Sequence, residues 1–191
     1  MKTRTPFVVL LAVLAVGASA CQGPSAKDRF FPTLPPPPSV NPAQGSPEEA
    51  YTLAFQSMAD VLVTHCGTLD CHGNSVRNFR VYDVDGLRLP GNVTGVGGTT
   101  DEEYLKTYES LVLLQPEVLS KIYAQHGAHP ERWIVITKGR GSEHHKGGSR
   151  MRAGDDADRC IISWLSGQVD QDACGRASVV EAPPEPDGGA P

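Results

Sequence analysis

The sequence has little that would build a large core: aromatic residues make up 6% and hydrophobic residues 39% of its 191 positions. It lacks the Gly-x-Ser-x-Gly elbow of hydrolases, the His-Glu-x-x-His pair of metallopeptidases and the Gly-Lys-Ser/Thr ending of a phosphate loop. A net charge of −5 excludes a polybasic nucleic-acid-binding protein. What remains is one domain of ordinary size with tails and no hydrolytic or nucleotide-binding signature.

The N-terminus has the pattern of an export signal. Lys2 and Arg4 precede an apolar run, residues 7–16, that is too short to span a bilayer. Small residues then lead to Cys21, and this junction resembles the lipobox of bacterial lipoproteins. The resemblance implies a signal peptide over residues 1–20 and a lipid on Cys21; ordinary cleavage after Ala20 is the alternative.

Export changes the chemistry expected of the other four cysteines, Cys66, Cys71, Cys160 and Cys174. Thiols outside the cytosol are normally oxidised or otherwise bonded. An even number permits two disulfides. It equally permits a structural disulfide between Cys160 and Cys174, with different chemistry at the first pair.

The first pair opens the most informative stretch, Cys66-Gly67-Thr68-Leu69-Asp70-Cys71-His72-Gly73. Covalent haem attachment uses C-x-x-C-H, in which two thiols bind the porphyrin and the adjacent imidazole binds iron. Here four residues separate the cysteines instead of two. Three interpretations therefore stay open: haem attachment, a Cys66–Cys71 disulfide, and a metal site that adds His72 and Cys160.

The proline-rich segment, residues 21–45, predicts an extended tether, or less plausibly a ligand for a proline-binding partner. The domain is expected over residues 46–176, followed by a disordered tail over residues 177–191. Its first helix begins at Ser46 and Pro47, which suit the cap and first helical position, and ends at Cys66.

The rest of the domain is predicted to be mostly α-helical with long loops. Further helices are expected from Thr100 or Asp101, from Pro116 to Gly127, and from Asp155 or Asp156 to Gly167 as the last helix. Residues 79–82 and 133–136 could be short strands. The loop over residues 138–154 offers Met151, His144 and His145 as ligands, together with a basic patch.

This order of elements resembles class I cytochrome c over residues 46–167, and the small cytochrome c modules of planctomycete and myxobacterial exported proteins. The motifs that carry the resemblance are Cys66…Cys71-His72, His145-Lys146-Gly147-Gly148 before Met151, and Ile161-Ile162-Ser163-Trp164-Leu165. The resemblance implies that the first and last helices cross above a haem c. It also implies Cys66 and Cys71 as thioethers, His72 as one iron ligand and Met151 as the other, with His145 as the alternative.

The expected function is therefore single-electron transfer by a lipid-anchored monohaem cytochrome that faces the periplasm, without catalysis and without nucleic acid. A redox partner protein is implied. Gln22 after the lipidated cysteine favours the outer membrane, because many lipoproteins retained at the inner membrane have Asp there. The alternative is a cofactor-free lipoprotein with two disulfides and a structural or interaction role.

Overall fold

The computed structural model describes residues 34–179. These residues fold mostly as α-helices and contain no strand, only an isolated bridge between Tyr82 and Leu87. The expected fold class is confirmed. The helices are α1 Pro47–Cys66, α2 Asp101–Val112, α3 Pro116–Ala124, α4 Ile134–Gly139, α5 Asp156–Leu165 and α6 Gln171–Ala177, with a 3₁₀ turn at Pro130–Arg132.

Local capping explains where the long helices begin. The Ser46 side chain accepts a hydrogen bond from the Glu49 amide (3.0 Å) at the start of α1. Thr100 and Glu103 form a reciprocal capping box at the start of α2. Both helix starts could be predicted from the sequence, because capping depends on residues that are close together along the chain.

Two local predictions were wrong. Residues 133–136 were expected as a short strand or a buried extended segment, but Ile134–Gly139 is the short helix α4. Its β-branched residues favour a strand locally, whereas burial of Trp133 and Ile136 holds it as a helix. The helix Asp156–Leu165 was expected to be the last one, but α6 follows it.

The core forms where α1 packs against α5 and α6. Phe55 on α1 is fully buried, with its ring centroid 5.9 Å from that of Trp164 on α5 and 5.6 Å from that of Tyr108 on α2. Trp133, just before α4, lies 6.3 Å from Trp164. This aromatic cluster connects α1, α2 and α5 with the residue that precedes α4, around the middle of α1.

A disulfide joins Cys160 on α5 to Cys174 on α6. This is the pairing predicted from the sequence. Closing a loop of this length contributes about 3 kcal/mol in the chain-entropy interpretation. The bond holds α6 on α5, and both helices support α1.

The described part of the proline-rich segment binds the domain instead of standing away from it. Leu34 packs against the core, and Pro35 and Pro38 are buried. The Tyr108 hydroxyl donates to the Pro35 carbonyl. An extended proline segment leaves its carbonyls free for such bonds, so the expected tether does not include the residues from Leu34 onwards.

The signal peptide, Cys21 and the end of the predicted tail lie outside the described residues. Within residues 34–179, no helix is both long and apolar enough to cross a membrane.

A buried ion pair orders the glycine-rich loop before α2. The Arg88 Nε atom lies 2.8 Å from Oε1 of Glu103, whose side chain is fully buried. That carboxylate oxygen also accepts from the Leu89 amide (3.0 Å) and the Asn92 side chain (2.9 Å). The remaining guanidinium donors bind loop carbonyls, those of Val84, Val93, Val96 and Gly98.

The ionisation of Glu103 is expected to make the unfolding free energy of the protein fall in acid. Burial by itself would raise its pKa, but the hydrogen bonds to its carboxylate outweigh burial and hold the pKa at about 2. Because the pKa of Glu103 is lower in the folded than in the unfolded protein, its carboxylate adds to the unfolding free energy above the unfolded pKa. This added free energy is lost as pH falls from about 4.5 to 2. It amounts to about 3 kcal/mol.

We expect Glu103→Gln to destabilise the protein at pH 7 and to flatten the fall in unfolding free energy below pH 4.5. Urea unfolding at a series of pH values measures both effects. Glu109→Gln is the matched control, since Glu109 forms an exposed ion pair with Lys106. An equal pH dependence in wild type and Glu103→Gln would refute the role of this carboxylate.

Candidate functional site

The cysteine loop turns back on the end of α1. Cys66 is the last residue of that helix, and its carbonyl accepts a hydrogen bond from the His72 amide (3.0 Å). The Cys71 and Gly73 amides both donate to the Thr68 carbonyl, at 2.8 and 3.0 Å. The wide spacing between the cysteines is thus taken up in a closed turn that returns His72 to the helix end.

Two glycines permit this turn. A Cβ atom on Gly73 would lie 2.0 Å from the Gly67 carbonyl oxygen, and one on Gly67 would lie 2.7 Å from the Val63 carbonyl oxygen. Both contacts are with backbone, which cannot rotate away as a side chain can. The loop therefore closes only because neither position has a side chain.

His72 is held in one orientation. Its Nδ1 atom lies 3.0 Å from the Phe79 carbonyl oxygen, and the two rings pack with centroids 4.6 Å apart. A carbonyl only accepts hydrogen bonds, so Nδ1 must be the protonated nitrogen. Nε2 is then left with a free lone pair, as in metal-binding histidines whose other nitrogen is hydrogen-bonded.

The surroundings also favour neutral His72. Burial lowers its pKa, although the hydrogen bond to Phe79 opposes the change. Repulsion from His145 and Arg77 lowers the pKa further. Because only the neutral imidazole can donate a lone pair, these effects suit a metal ligand.

The two thiols of the motif are free: Cys66 and Cys71 form no disulfide. Burial raises the pKa of the Cys66 thiol to about 11, with Arg150 opposing the rise and Cys71 adding to it. Catalytic and redox-active cysteines have lowered pKa values instead. The raised pKa makes Cys66 poorly suited to thiol–disulfide exchange.

Two cavities meet at His72. One is an almost entirely apolar cleft of about 190 Å³, and the other is a more polar opening of about 630 Å³. His72, His145 and Arg150 line both. Cys66 borders the cleft and Cys71 borders the opening. The walls of the cleft are Phe79, Leu114, Ile134 and Val135.

His145 faces His72 across this junction. The two rings are nearly parallel, at 9°, with their centroids 5.9 Å apart. The His145 carbonyl accepts from the Gly148 amide (2.9 Å), which turns the chain in the loop before α5. The neighbouring His144 is exposed, and its carbonyl accepts from the Lys138 ammonium (2.7 Å).

Met151 lies elsewhere. It is buried in the core with 6% of its surface exposed, and it lines neither cavity. Its amide donates to the Gly139 carbonyl (3.1 Å), and a Cβ on Gly139 would come within 2.4 Å of the Met151 methyl carbon. Gly139 does line the cleft, so Met151 sits one layer behind the wall.

His65 connects the loop that carries these residues to two helices. Its Nδ1 atom lies 3.0 Å from the Arg150 carbonyl oxygen and its Nε2 atom 3.0 Å from the Ala177 carbonyl oxygen. His65 belongs to the last turn of α1, one residue before Cys66. The loop before α5 is thereby fixed beside the cysteine loop.

The residues that form the walls of the cleft were not predicted from the sequence. Phe79 and Val81 are buried in alternation along an extended segment. That period of two signalled burial, but nothing local connected Phe79 with His72. Leu114, Ile134 and Val135 come from two other parts of the chain and are brought together only by folding.

The zinc alternative is not supported by the arrangement of donors. Cys160, its fourth ligand, is bonded to Cys174. Among residues 34–179, no three His, Cys, Asp or Glu side chains converge as a protein-only metal site requires. A haem brings its own four nitrogen ligands and needs only axial protein ligands, so paired histidines beside two free thiols fit it better.

No family model matches this chain, and no curated protein or solved structure is significantly similar to it.

The loop glycines give a direct test of the site geometry. Gly73→Ala must displace the Gly67 carbonyl, so we expect a loss of roughly 3 kcal/mol or more in unfolding free energy. Gly175→Ala is the control, because a Cβ there meets no atom and alanine favours a helix. Urea unfolding of both variants measures the difference; a neutral Gly73→Ala would contradict the closed turn.

Proposed function

We propose that this protein is a monohaem c-type cytochrome that transfers single electrons. The observation that carries the proposal is the hydrogen bond from His72 Nδ1 to the Phe79 carbonyl, at 3.0 Å. It leaves Nε2 unprotonated beside two free thiols and an apolar cleft. A half-buried histidine with only a structural role does not require two free thiols and an apolar cleft beside it.

Different residues of the site would hold different parts of the haem. The thiols of Cys66 and Cys71 would hold the haem through thioether bonds, each formed by addition of S–H to a vinyl group without an oxidant. Phe79 and Leu114, in the apolar wall of the cleft, would shield the group from water. When bound, haem supplies a one-electron couple whose potential depends on axial ligands and burial.

Of the two candidates for the second axial ligand, the geometry favours His145 over Met151. His145 lines both cavities beside His72, so its imidazole could reach an iron held there. The His72 and His145 centroids are 5.9 Å apart. Met151, which the family resemblance nominates, lies behind Gly139 and would have to leave the core.

The proposal includes a lipid anchor at Cys21 on the periplasmic side, with the outer membrane favoured. Leu34 packs against the domain, and twelve residues separate it from Cys21. A chain of that length spans at most about 45 Å. The haem would therefore meet redox partners that lie in or near the same membrane.

The competing function is a cofactor-free lipoprotein stapled by two disulfides. It requires a Cys66–Cys71 bond, whereas the structure has both thiols free and one disulfide, Cys160–Cys174. This observation favours haem attachment.

The deciding measurement is the intact mass of the protein purified from its native host without reductant. We expect an added haem mass that survives denaturation, since thioether bonds are covalent. A polypeptide mass without haem, reduced only by the hydrogens lost to disulfides, would refute the proposal.

Substitution of His72 tests its role as a ligand. We expect His72→Ala to keep covalent haem but lose the low-spin iron spectrum, because one axial ligand is missing. His144→Ala is the control, since His144 is exposed and contributes only its carbonyl. An unchanged visible spectrum in His72→Ala would remove His72 from the iron.

The second ligand is tested by a pair of variants. We expect His145→Ala to convert the iron to high spin, and Met151→Leu, a volume-conserving core change, to leave the spectrum and midpoint potential unaltered. Electron paramagnetic resonance and a redox titration measure both. A methionine–iron charge-transfer band that disappears in Met151→Leu would assign the ligand to Met151 instead.

A further inference from the structure

A third cavity, of about 330 Å³, lies between α2 and the extended segment over residues 78–82. Arg80 and Lys106 line it, and Leu114 belongs to both this cavity and the apolar cleft. The two spaces thus share one wall residue. Nothing in the proposed haem ligation uses this cavity.

The backbone aims Arg80 at the cavity. The Arg80 amide donates to the Ser110 hydroxyl (2.6 Å), and the Tyr82 amide donates to the Thr107 hydroxyl (3.0 Å). Phe79 and Val81 are buried in the core. Because side chains alternate along an extended segment, Arg80 and Tyr82 point the other way and line the cavity.

The Arg80 side chain is half-buried, and one of its guanidinium donors has no acceptor among the described residues. Its Nε atom is buried without a hydrogen bond, and within residues 34–179 the side chain makes no ion pair. A buried donor left without an acceptor costs free energy comparable to a lost hydrogen bond. The described residues therefore provide no acceptor for this donor. An anionic ligand could provide one.

The charge of the cavity limits that ligand. Lys106 is already paired with Glu109 at 2.6 Å. Glu109 lines the cavity as well, so Arg80 is the one positive charge left over beside this ion pair, with the uncharged side chains of Asn78 and Ser110 nearby. One charge with fork geometry matches a carboxylate better than a dianionic phosphate.

We propose that Arg80 is the centre of a carboxylate-binding site. The carboxylate has two conceivable sources, a haem propionate that reaches past Leu114 or a soluble carboxylate that enters from solvent. The first source rests on the proposed function, whereas the second does not. The carboxylate-binding site can therefore be tested independently of haem binding.

The experiment observes the Arg80 Nε–H group by proton–nitrogen NMR in the full chain, dialysed against chloride and titrated with acetate at constant ionic strength. The signal is assigned by its absence from Arg80→Gln. Arg132→Gln, which changes an exposed arginine, is the matched control. The midpoint potential of any bound haem is measured in the same three proteins.

A propionate partner predicts an Nε–H that is already protected from exchange in chloride and insensitive to acetate, and a lower midpoint potential in Arg80→Gln because a positive charge is lost. A soluble carboxylate predicts no protection in chloride and a saturable shift of the Arg80 Nε–H signal with acetate, with the same midpoint in Arg132→Gln as in the wild type. The second result remains available if the protein holds no haem.

Two results would overturn the site. One is an Nε–H signal that is unprotected in chloride and shows no saturable response to acetate. The other is protection that acetate does not change and that is accompanied by no change in midpoint potential in Arg80→Gln, since a protein group would then be the partner.

Discussion

The packing of α1 against α5 and α6 is the constraint on which the candidate site depends. Phe55 and Trp164 anchor the crossing, and the Cys160–Cys174 disulfide holds α6 in place behind it. The end of α1 is thereby fixed, and Cys66 is its last residue. Because His65 in the same turn binds the Arg150 and Ala177 carbonyls, the loop with His145 is fixed to that helix end as well.

The cysteine loop shows how a change in spacing can leave the geometry of a site intact. The two additional residues between Cys66 and Cys71 are absorbed in a turn whose amides bind the Thr68 carbonyl. The His72 amide still returns to Cys66, and the imidazole is oriented from outside the loop by Phe79. The position of the His72 imidazole therefore depends on these hydrogen bonds more than on the number of residues between the thiols.

Charge is handled differently in three parts of the molecule. Around the cleft, burial favours the neutral forms of His72 and Cys66, which suits covalent attachment and ligation. Behind the glycine-rich loop, Glu103 is charged and fully paired, so it contributes to stability. In the third cavity the Nε atom of Arg80 is buried without an acceptor among the described residues, and the proposed carboxylate would supply one.

Sequence alone determined the features that depend on near neighbours. The cap at Ser46, the end of α1 at Cys66 and the adjacent His72 were all legible, because capping and motif spacing act over a few residues. Tertiary structure decided the rest. It turned residues 134–139 into a helix, buried Met151 behind Gly139, and brought His145 to His72 from more than seventy residues away along the chain. These outcomes depend on which surfaces are buried together, and no local pattern records that.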